Sequence, residues 1–230
     1  MTSADERRGV VTMLDVLGWK GIYNRLEQPL QTLRGLVDNL QDAASNWSLR
    51  GYSDDGTPLD GTLVRSISDT IAIFNQVSLS DLQPTIELHG LLCAEAIRWS
   101  LLSEIPVRGA TSIGDFEVFE SMFVGKAIDE AAAWYEQGDW VGVHLTPSAE
   151  FAFDAAESAH WVNYPAPLRT GRDRPIPCVR WTDTWFSDEQ DRTSLQRIFT
   201  NMGPITPDIS TKFTNTLSFY DCMTQDEPKG

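Results

Sequence analysis

The sequence of 230 residues is short of positive charge, of cysteine and of long apolar runs, and each shortage excludes a class of protein. Its 18 Lys and Arg residues stand against 33 Asp and Glu residues, so the formal net charge is −15. Proteins that bind duplex DNA or RNA usually present a basic face to the phosphates, so we expect no nucleic-acid partner. The charge does not exclude a nucleotide whose phosphates are held through divalent cations.

The cysteines and the apolar residues indicate the compartment. Cys93, Cys178 and Cys222 are an odd, scattered set without the spacing of metal ligands or of a disulfide framework, which favours a reducing environment. No apolar run approaches the roughly 18–20 residues of a membrane span, and the first residues do not resemble a secretory signal. We therefore expect a cytoplasmic protein with no membrane partner.

The apolar periodicity predicts an α+β fold. Two helices alternate with short strands in the order β-α-β-β-α-β, which is the ferredoxin-like arrangement of an antiparallel-rich sheet with helices packed on one face. The predicted elements are a strand at 10–17, a helix at 21–44 with a kink or restart near Pro29, a hairpin at 63–67 and 70–74, a helix at 80–103 and a strand at 106–113. A third helix at 125–137, a strand at 140–145 and a fourth helix from Pro147 to about residue 157 follow.

The last seventy residues differ in composition from the rest. Prolines punctuate an extended stretch, three tryptophans (Trp161, Trp181 and Trp185) crowd it, and a helix at 187–202 precedes a frayed tail. The tryptophans are interpreted as packing against the sheet. We predict a core over residues 1–158 and an extension over residues 159–230 that packs on the core and is not independent.

Two aspartates carry the most chemical information. Asp15 lies within the first apolar strand, and Asp69 lies at the turn of the hairpin. An ionised carboxylate in an apolar strand is costly unless a cation or a set of donors compensates it. In a ferredoxin-like sheet these two strands are neighbours, so the acids can meet at one end of the sheet. Two carboxylates with a backbone carbonyl are oxygen ligands suited to Mg²⁺ or Mn²⁺.

Four sequence segments resemble class III nucleotidyl cyclases, in the right order over about residues 10–145. They are LDVLGW from Leu14, RSISDTIAIF from Arg65, PVRGATSIGDF from Pro106 and VGKAIDEAAAWYE from Val124. The third and fourth segments most resemble the pyrimidine cyclases of bacterial Pycsar antiphage systems. The resemblance implies a homodimer with metal-dependent active sites at the interface, each using residues of both chains.

The resemblance also implies roles for individual residues. Asp15, Asp69 and the carbonyl of Val16 match the ligands of two Mn²⁺ or Mg²⁺ ions. Arg65 matches the position at which purine cyclases have a Lys or Glu that recognises the base. Met122 matches the position of a second residue that contacts the base in those enzymes. Asp129 replaces an Asn of the mammalian-type enzymes. Gly18 and Trp19, directly after the first strand, are further candidates for contact with the substrate.

One departure concerns the transition state. Ala133 stands where the family usually has an arginine that stabilises the transition state. Another cation must therefore stabilise the negative charge that develops on the α-phosphate. Lys20, Arg50 and Lys126 are candidates that the sequence does not rank. Arg108, inside an apolar strand, is predicted to pair with a buried acid, with a contact to a phosphate as the alternative. His89, His144 and His160 have no ligand-like spacing and are interpreted as surface or core residues.

The sequence thus predicts a uridylate cyclase. UTP is favoured because Arg65 offers only donors and uracil presents acceptors at O2 and O4. The resemblance to the Pycsar enzymes implies that the product is a second messenger for a separate effector in antiphage defence. Alternatives are a cytidylate cyclase, a purine (adenylate or guanylate) cyclase, and a non-catalytic module of the same fold that binds a nucleotide.

Overall fold

The computed structural model describes residues 8–48, 61–77, 81–120, 122–171, 174–187 and 190–225. Its first part contains four strands and two helices in the predicted order. They are β1 (Arg8–Val16), α1 (Pro29–Ser48), β2 (Leu63–Ile67), β3 (Thr70–Gln76), α2 (Leu82–Leu102) and β4 (Val107–Phe119). The strands are antiparallel and lie in the spatial order β2-β3-β1-β4. This is the strand order of a βαββαβ unit, so the predicted α+β, ferredoxin-like fold is confirmed.

The second part of the chain extends the same sheet. Its elements are β5 (Met122–Gly125), α3 (Lys126–Tyr135), β6 (Gly142–Leu145), α4 (Pro147–Glu150), β7 (Trp161–Tyr164), β8 (Ile176–Val179), α5 (Thr182–Ser187), α6 (Arg192–Asn201) and α7 (Pro207–Gln225). Strand β6 is parallel to β4, and β8 and β7 continue the sheet beyond it. The sheet therefore runs from residues of the predicted core into residues of the predicted extension. The boundary after residue 158 stays a prediction.

Strand β1 is central and buries both of its faces. Val10 and Leu14 point into the larger apolar core, which also contains residues of α1 and α2. Val11 and Met13 point the other way, into a smaller cluster with Ala127 and other residues of α3. Because side chains alternate along a strand, Asp15 shares the α3 face with Met13. Helices thus cover both faces of the sheet, whereas the sequence analysis expected them on one face.

The first helix begins later than predicted. A 3₁₀ turn at Ile22–Asn24 follows Gly21, and α1 begins at Pro29. Proline is tolerated in the first turn of a helix, where its missing N–H would have no partner. The predicted restart near Pro29 is therefore confirmed, and the predicted start at residue 21 is wrong.

Three predictions about later helices are also wrong. The fourth helix ends at Glu150, not near residue 157, and the helix predicted at 187–202 is α6, which begins only at Arg192 and follows a short helix, α5, that was not predicted. The predicted frayed tail contains the 19-residue helix α7. This helix forms because Phe213, Phe219 and Tyr220 are buried in the main core, although its overall composition is polar. The interpretation of the tryptophans as packing is confirmed, since Trp161, Trp181 and Trp185 are all buried.

A hairpin that the sequence analysis did not predict projects from the sheet. Strand β4 continues to Phe119 and pairs with β5, with Phe119 opposite Met122. Glu120, in the turn, has a positive φ of 53°. Phe119, Met122 and Val124 are 67%, 63% and 65% exposed, and we call them the hairpin patch.

Among the described residues, no helix is both long enough and apolar enough to cross a membrane.

Candidate active site

Asp15 and Asp69 lie at the same end of the sheet. Asp15 is opposite Thr70 in the antiparallel pairing of β1 with β3. The backbone N–H of Val16 donates to the carbonyl oxygen of Asp69 over 3.1 Å, which fixes the hairpin turn beside the end of β1. Both acids and Val16 line one cavity. The structure thus brings the three residues predicted as metal ligands together.

Arg108 is the ionic partner of Asp15. These residues are directly opposite each other in the pairing of β1 with β4, and Nε of Arg108 donates to Oδ2 of Asp15 over 3.0 Å. The terminal Nη1 donates to the carbonyl oxygens of Glu136 and Gly138. The predicted pairing of Arg108 with a buried acid is confirmed, and its partner is a candidate metal ligand. Asp15 therefore already has one cation before any metal is considered.

Burial nevertheless opposes ionisation of Asp15. It raises the pKa of this carboxyl above its ordinary value, and the charge and hydrogen bond of Arg108 act in the opposite direction. The carboxylates of Asp69 and Glu136 add to the rise because like charges disfavour each other. One guanidinium does not balance this local negative charge. A cation bound between Asp15 and Asp69 would offset it.

The donor set fits a hard divalent cation. The two carboxylates and the backbone of Val16 offer oxygen ligands, which Mg²⁺ and Mn²⁺ prefer. Within the described ranges, no group of three or more His, Cys, Asp or Glu side chains could hold a metal ion. Mg²⁺ commonly takes only one or two protein carboxylates and completes its ligands with water and substrate phosphates, so a pair of acids is sufficient for such a site.

The cavity beside these acids has a volume of about 880 Å³, which is large enough for a nucleotide. One wall of the cavity belongs to the predicted core, 1–158, and consists of residues 15–21, 24, 25, 69 and 108. The other wall comes from the end of α6, the start of α7 and the segment between them. It consists of residues 201–204, 206, 209, 212 and 213. The C-terminal part of the chain therefore encloses the space in front of Asp15 and Asp69.

Among the described residues, four cationic side chains line this cavity, although the net charge of the chain is −15. They are Lys20, Arg25, Arg108 and Lys212. The guanidinium of Arg25 donates to the carbonyl oxygens of Glu104 and Gly18, so these contacts do not neutralise its charge. Of the three candidates for the missing transition-state cation, Lys20 lies here, Lys126 lies on α3 outside the lining, and Arg50 falls outside the described residues. Sequence reasoning missed Arg25 and Lys212, because neither has a local signal near the two acids.

Gly18 and Trp19 also line the cavity, as their position after β1 suggested. Gly18 has a positive φ of 74° and Gly21 one of 86°, a backbone conformation that glycine adopts at little cost. Both glycines lie in the turns that follow the end of β1 at Val16. Trp19 is half-buried and packs against the main core, so one end of the turn is anchored.

The residues predicted to contact the base lie elsewhere on the chain. Arg65, Met122 and Asp129 do not line the cavity. Nε of Arg65 donates to the carbonyl oxygen of Glu120 over 3.0 Å, which connects β2 to the turn of the hairpin patch. Asp129 is exposed in the first turn of α3. Ala133, on the same helix, is also exposed. The structure brings the metal-ligand candidates together but does not bring these residues to them within one chain.

Comparison with known proteins identifies neighbours in solved structures only. No family model and no curated protein matches the chain. Similar structures include the catalytic core of a rhodopsin-guanylyl cyclase with converted specificity in complex with ATPαS, at 13% identity and a TM-score of 0.46 over 75% of this chain and 94% of that chain. An adenylate/guanylate cyclase/hydrolase from Silicibacter pomeroyi is 14% identical with a TM-score of 0.47, over 75% and 94% of the two chains.

A third neighbour is a class III adenylyl cyclase-like ATP-binding protein from Pseudomonas aeruginosa. It is 11% identical with a TM-score of 0.45, over 65% of this chain and 35% of that chain. All three TM-scores are below 0.5, so these likenesses carry no functional assignment. The function proposed below rests on the residues of the site and on their resemblance to the cyclase motifs.

Proposed function

We propose that the protein is a metal-dependent nucleotidyl cyclase that converts UTP to 3′,5′-cyclic UMP and pyrophosphate. The observation that carries the proposal is the meeting of Asp15 and Asp69 at one cavity that four cations also line. This combination suits a triphosphate, which needs both metal-binding carboxylates and direct positive charge. An exclusively acidic cavity would suit a free cation, and an exclusively basic one a simple anion.

The residues of the site act by binding and orienting the nucleotide. Asp15, Asp69 and the carbonyl of Val16 would hold two Mn²⁺ or Mg²⁺ ions, which when bound stabilise charge on the phosphate oxygens. The cavity holds the ribose against the triphosphate, so that the 3′-oxygen forms a bond to the α-phosphorus. The bond from this phosphorus to the oxygen bridging to the β-phosphate breaks, and pyrophosphate leaves with that electron pair. The hydroxyl proton passes to water. Orientation of the two reacting groups in one molecule supplies much of the rate enhancement.

A homodimer would complete the site. Arg65, Met122 and Asp129 lie outside the cavity of their own chain, so a second chain is needed to bring base-binding residues to the acids. The hairpin patch supports such an assembly, because it exposes three large apolar side chains next to Arg65. Burying these residues against another copy would remove apolar surface from water.

Arg65 supports the choice of uracil. Its guanidinium carries five N–H donors and no acceptor, and the carbonyl oxygens of uracil are acceptors. In the described structure it donates to two backbone carbonyls, those of Glu120 and Val64. A base carbonyl could replace either of them. The resemblance to Pycsar enzymes supports a role for the product as a second messenger that activates a separate effector during phage infection.

The direct test offers ATP, GTP, CTP and UTP separately to the purified protein with Mn²⁺ and identifies the products by mass spectrometry. We expect cyclic UMP and pyrophosphate from UTP, and loss of both in Asp15→Ala and Asp69→Ala. A preference for CTP would correct the base, and a preference for ATP or GTP would establish the purine alternative. Linear hydrolysis products alone would contradict cyclase activity.

A non-catalytic nucleotide-binding module is the second candidate. Two observations favour it: Arg108 already pairs with Asp15, and Ala133 replaces the usual arginine. Such a module would bind a nucleotide without releasing pyrophosphate, and Asp15→Asn would leave its biological function intact. Equilibrium binding and pyrophosphate release, measured on the same sample, separate the two candidates.

A further inference from the structure

The C-terminal extension provides one wall of the candidate active site, and its position there is held by specific contacts. Phe199 of α6 stacks on Phe213 of α7 with ring centroids 4.0 Å apart. Nδ2 of Asn201 donates to Oε1 of Glu104 over 3.0 Å. The hydroxyl of Thr216 accepts from the N–H of Val141 over 2.9 Å. The ring stack joins α6 to α7, and the two hydrogen bonds attach the wall to the core on either side of the segment that lines the cavity.

Lys212 is the cation of this wall. It lies in the second turn of α7, its side chain is only 13% exposed, and it lines the same cavity as Asp15 and Asp69. Its ammonium lies 3.1 Å from Oδ1 of Asp139 and donates to the carbonyl oxygen of Asp208 over 3.1 Å. An ammonium has three donors. With these two contacts, one donor remains for a ligand in the cavity.

Asp139 does not depend on Lys212 alone for its charge balance. Nε of Arg169 lies 3.9 Å from the same oxygen, Oδ1. The backbone of Asp139 is held separately, because its carbonyl oxygen accepts from Nδ2 of Asn215 over 2.8 Å. If Lys212 turned toward a phosphate, Asp139 would still have a cationic neighbour and a fixed backbone. The cost of moving the ammonium is therefore smaller than for an isolated buried ion pair.

We propose that Lys212 binds the β- and γ-phosphates of the nucleotide held by Asp15 and Asp69 of the same chain, and then the pyrophosphate that leaves. This inference rests on the proposed function and adds to it a residue from the C-terminal extension. It also assigns the extension a role, since Lys212 belongs to the wall that the extension contributes to the cavity. Because position 133 is alanine and not arginine, another cation is needed to stabilise the negative charge on the leaving pyrophosphate, and Lys212 of the same chain could do so.

The test measures binding of inorganic pyrophosphate with Mg²⁺ to the full-length protein by calorimetry, which does not require turnover. We expect Lys212→Met to weaken binding roughly 10- to 100-fold, as for loss of a hydrogen bond to a charged group. Lys212→Arg should recover most of the affinity. Arg34→Met is the matched control for charge, because Arg34 lies on α1 with its side chain 81% exposed, and it should bind pyrophosphate as the wild type does.

Asp139→Asn separates a phosphate ligand from a structural ion pair. If Lys212 only holds α7 to the core, Asp139→Asn breaks the same pair and should weaken pyrophosphate binding as much as Lys212→Met does. If Lys212 binds phosphate, Asp139→Asn leaves the ammonium free and should keep or tighten the binding. Lys212→Gln, which retains a donor toward Asp139, replaces Lys212→Met if the methionine variant does not fold.

Two results would overturn the role of Lys212: wild-type pyrophosphate affinity in Lys212→Met or Lys212→Gln, or an equal loss in Asp139→Asn. The proposed function is judged separately. If the wild type makes no cyclic product from any nucleoside triphosphate, the cyclase assignment fails, and the pyrophosphate measurement still decides whether Lys212 is a ligand. If the product forms and pyrophosphate affinity does not change in the variants, only the role of Lys212 fails.

Discussion

Two polar sites on β1, three residues apart and on opposite faces of the sheet, differ in how their polar groups are satisfied. At the first site, the hydroxyl of Thr12 donates to Nδ1 of His89 over 2.8 Å, and Nε2 of His89 donates to Oδ1 of Asn75 over 3.0 Å. Thr111 donates to Thr12 over 2.6 Å, and Asn75 donates to the hydroxyl of Thr62 over 3.1 Å. This chain of hydrogen bonds is uncharged and buried except at Thr62, and each of its side chains has a hydrogen-bond partner.

The second site, at Asp15, is incomplete. Its carboxylate has Arg108 as partner, but Asp69 lies near it with the same charge and a large cavity opens beside both. A buried polar network that satisfies all its members stabilises one arrangement of the core. Charges left unbalanced at the edge of a cavity cost stability and are retained where a ligand completes them. The comparison therefore assigns structure to Thr12 and His89 and function to Asp15.

The largest expected effect separates these two roles by matched substitutions in one strand. Asp15→Asn should lower the rate of cyclisation on the order of 100-fold or more, because it removes a carboxylate proposed to bind the metal ions. Its melting temperature should change little, since Arg108 keeps its two backbone acceptors. Thr12→Val should do the reverse: it leaves partners without a hydrogen bond, costs roughly 1–3 kcal/mol of unfolding free energy, and preserves turnover per folded molecule. Similar effects of both variants on activity would erase the distinction.

The pH dependence of stability tests the neutral network. Burial lowers the pKa of His89 from 6.5 to about 3, so this ring is neutral in the folded protein. In the unfolded chain the ring takes up a proton below about pH 6.5, and the unfolded state then binds one proton more. The contribution of His89 is therefore intact above pH 6.5 and is lost as the pH falls toward 3, by roughly 1 kcal/mol per pH unit.

Urea unfolding at pH 7, 6 and 5 measures this slope, and His89→Gln supplies the reference without the titrating ring. Carboxylates contribute to the slope in both proteins, so the difference between the two slopes belongs to His89. Parallel pH profiles for the wild type and His89→Gln would show that folding does not lower the pKa of His89, and the first site would then carry a positive charge below about pH 6.5.

Much of the fold and the meeting of the acids could be predicted from the sequence, because both depend on local patterns. Apolar runs located β1 to β4, and their order placed the end of β1 beside the turn that carries Asp69. Lys212 could not be predicted to line the same cavity as Asp15, since α7 has a polar composition and is held by long-range burial of Phe213 and Phe219. Likewise, Arg108 could be predicted to pair with an acid, but only the register of β4 against β1 identifies that acid as Asp15.

A smaller effect is expected at Arg108. Its guanidinium and a divalent cation compete for the carboxylate of Asp15, and two carbonyl oxygens hold the guanidinium in place. Arg108→Gln removes the positive charge, so binding of Mn²⁺ should tighten by several-fold, since like charges no longer repel. Titration of Mn²⁺ by calorimetry measures this affinity, with Arg34→Met as the control. Weaker Mn²⁺ binding in Arg108→Gln would instead mean that Arg108 orients Asp15 for the metal.

The smallest effect concerns the backbone that presents Asp69. Ser68, in the hairpin turn, has a positive φ of 56°, which costs a residue with a Cβ atom more than it costs glycine. Ser68→Gly should therefore raise the unfolding free energy by at most about 1 kcal/mol, because relief of strain exceeds the extra entropy of the unfolded chain. Ser66→Gly is the matched control: Ser66 is exposed within β2, where glycine should lower stability by roughly 0.5–1 kcal/mol. Urea unfolding measures the change in unfolding free energy for both variants. Changes of opposite sign would locate strain in the turn that presents Asp69, and changes of the same sign would show that this turn is relaxed.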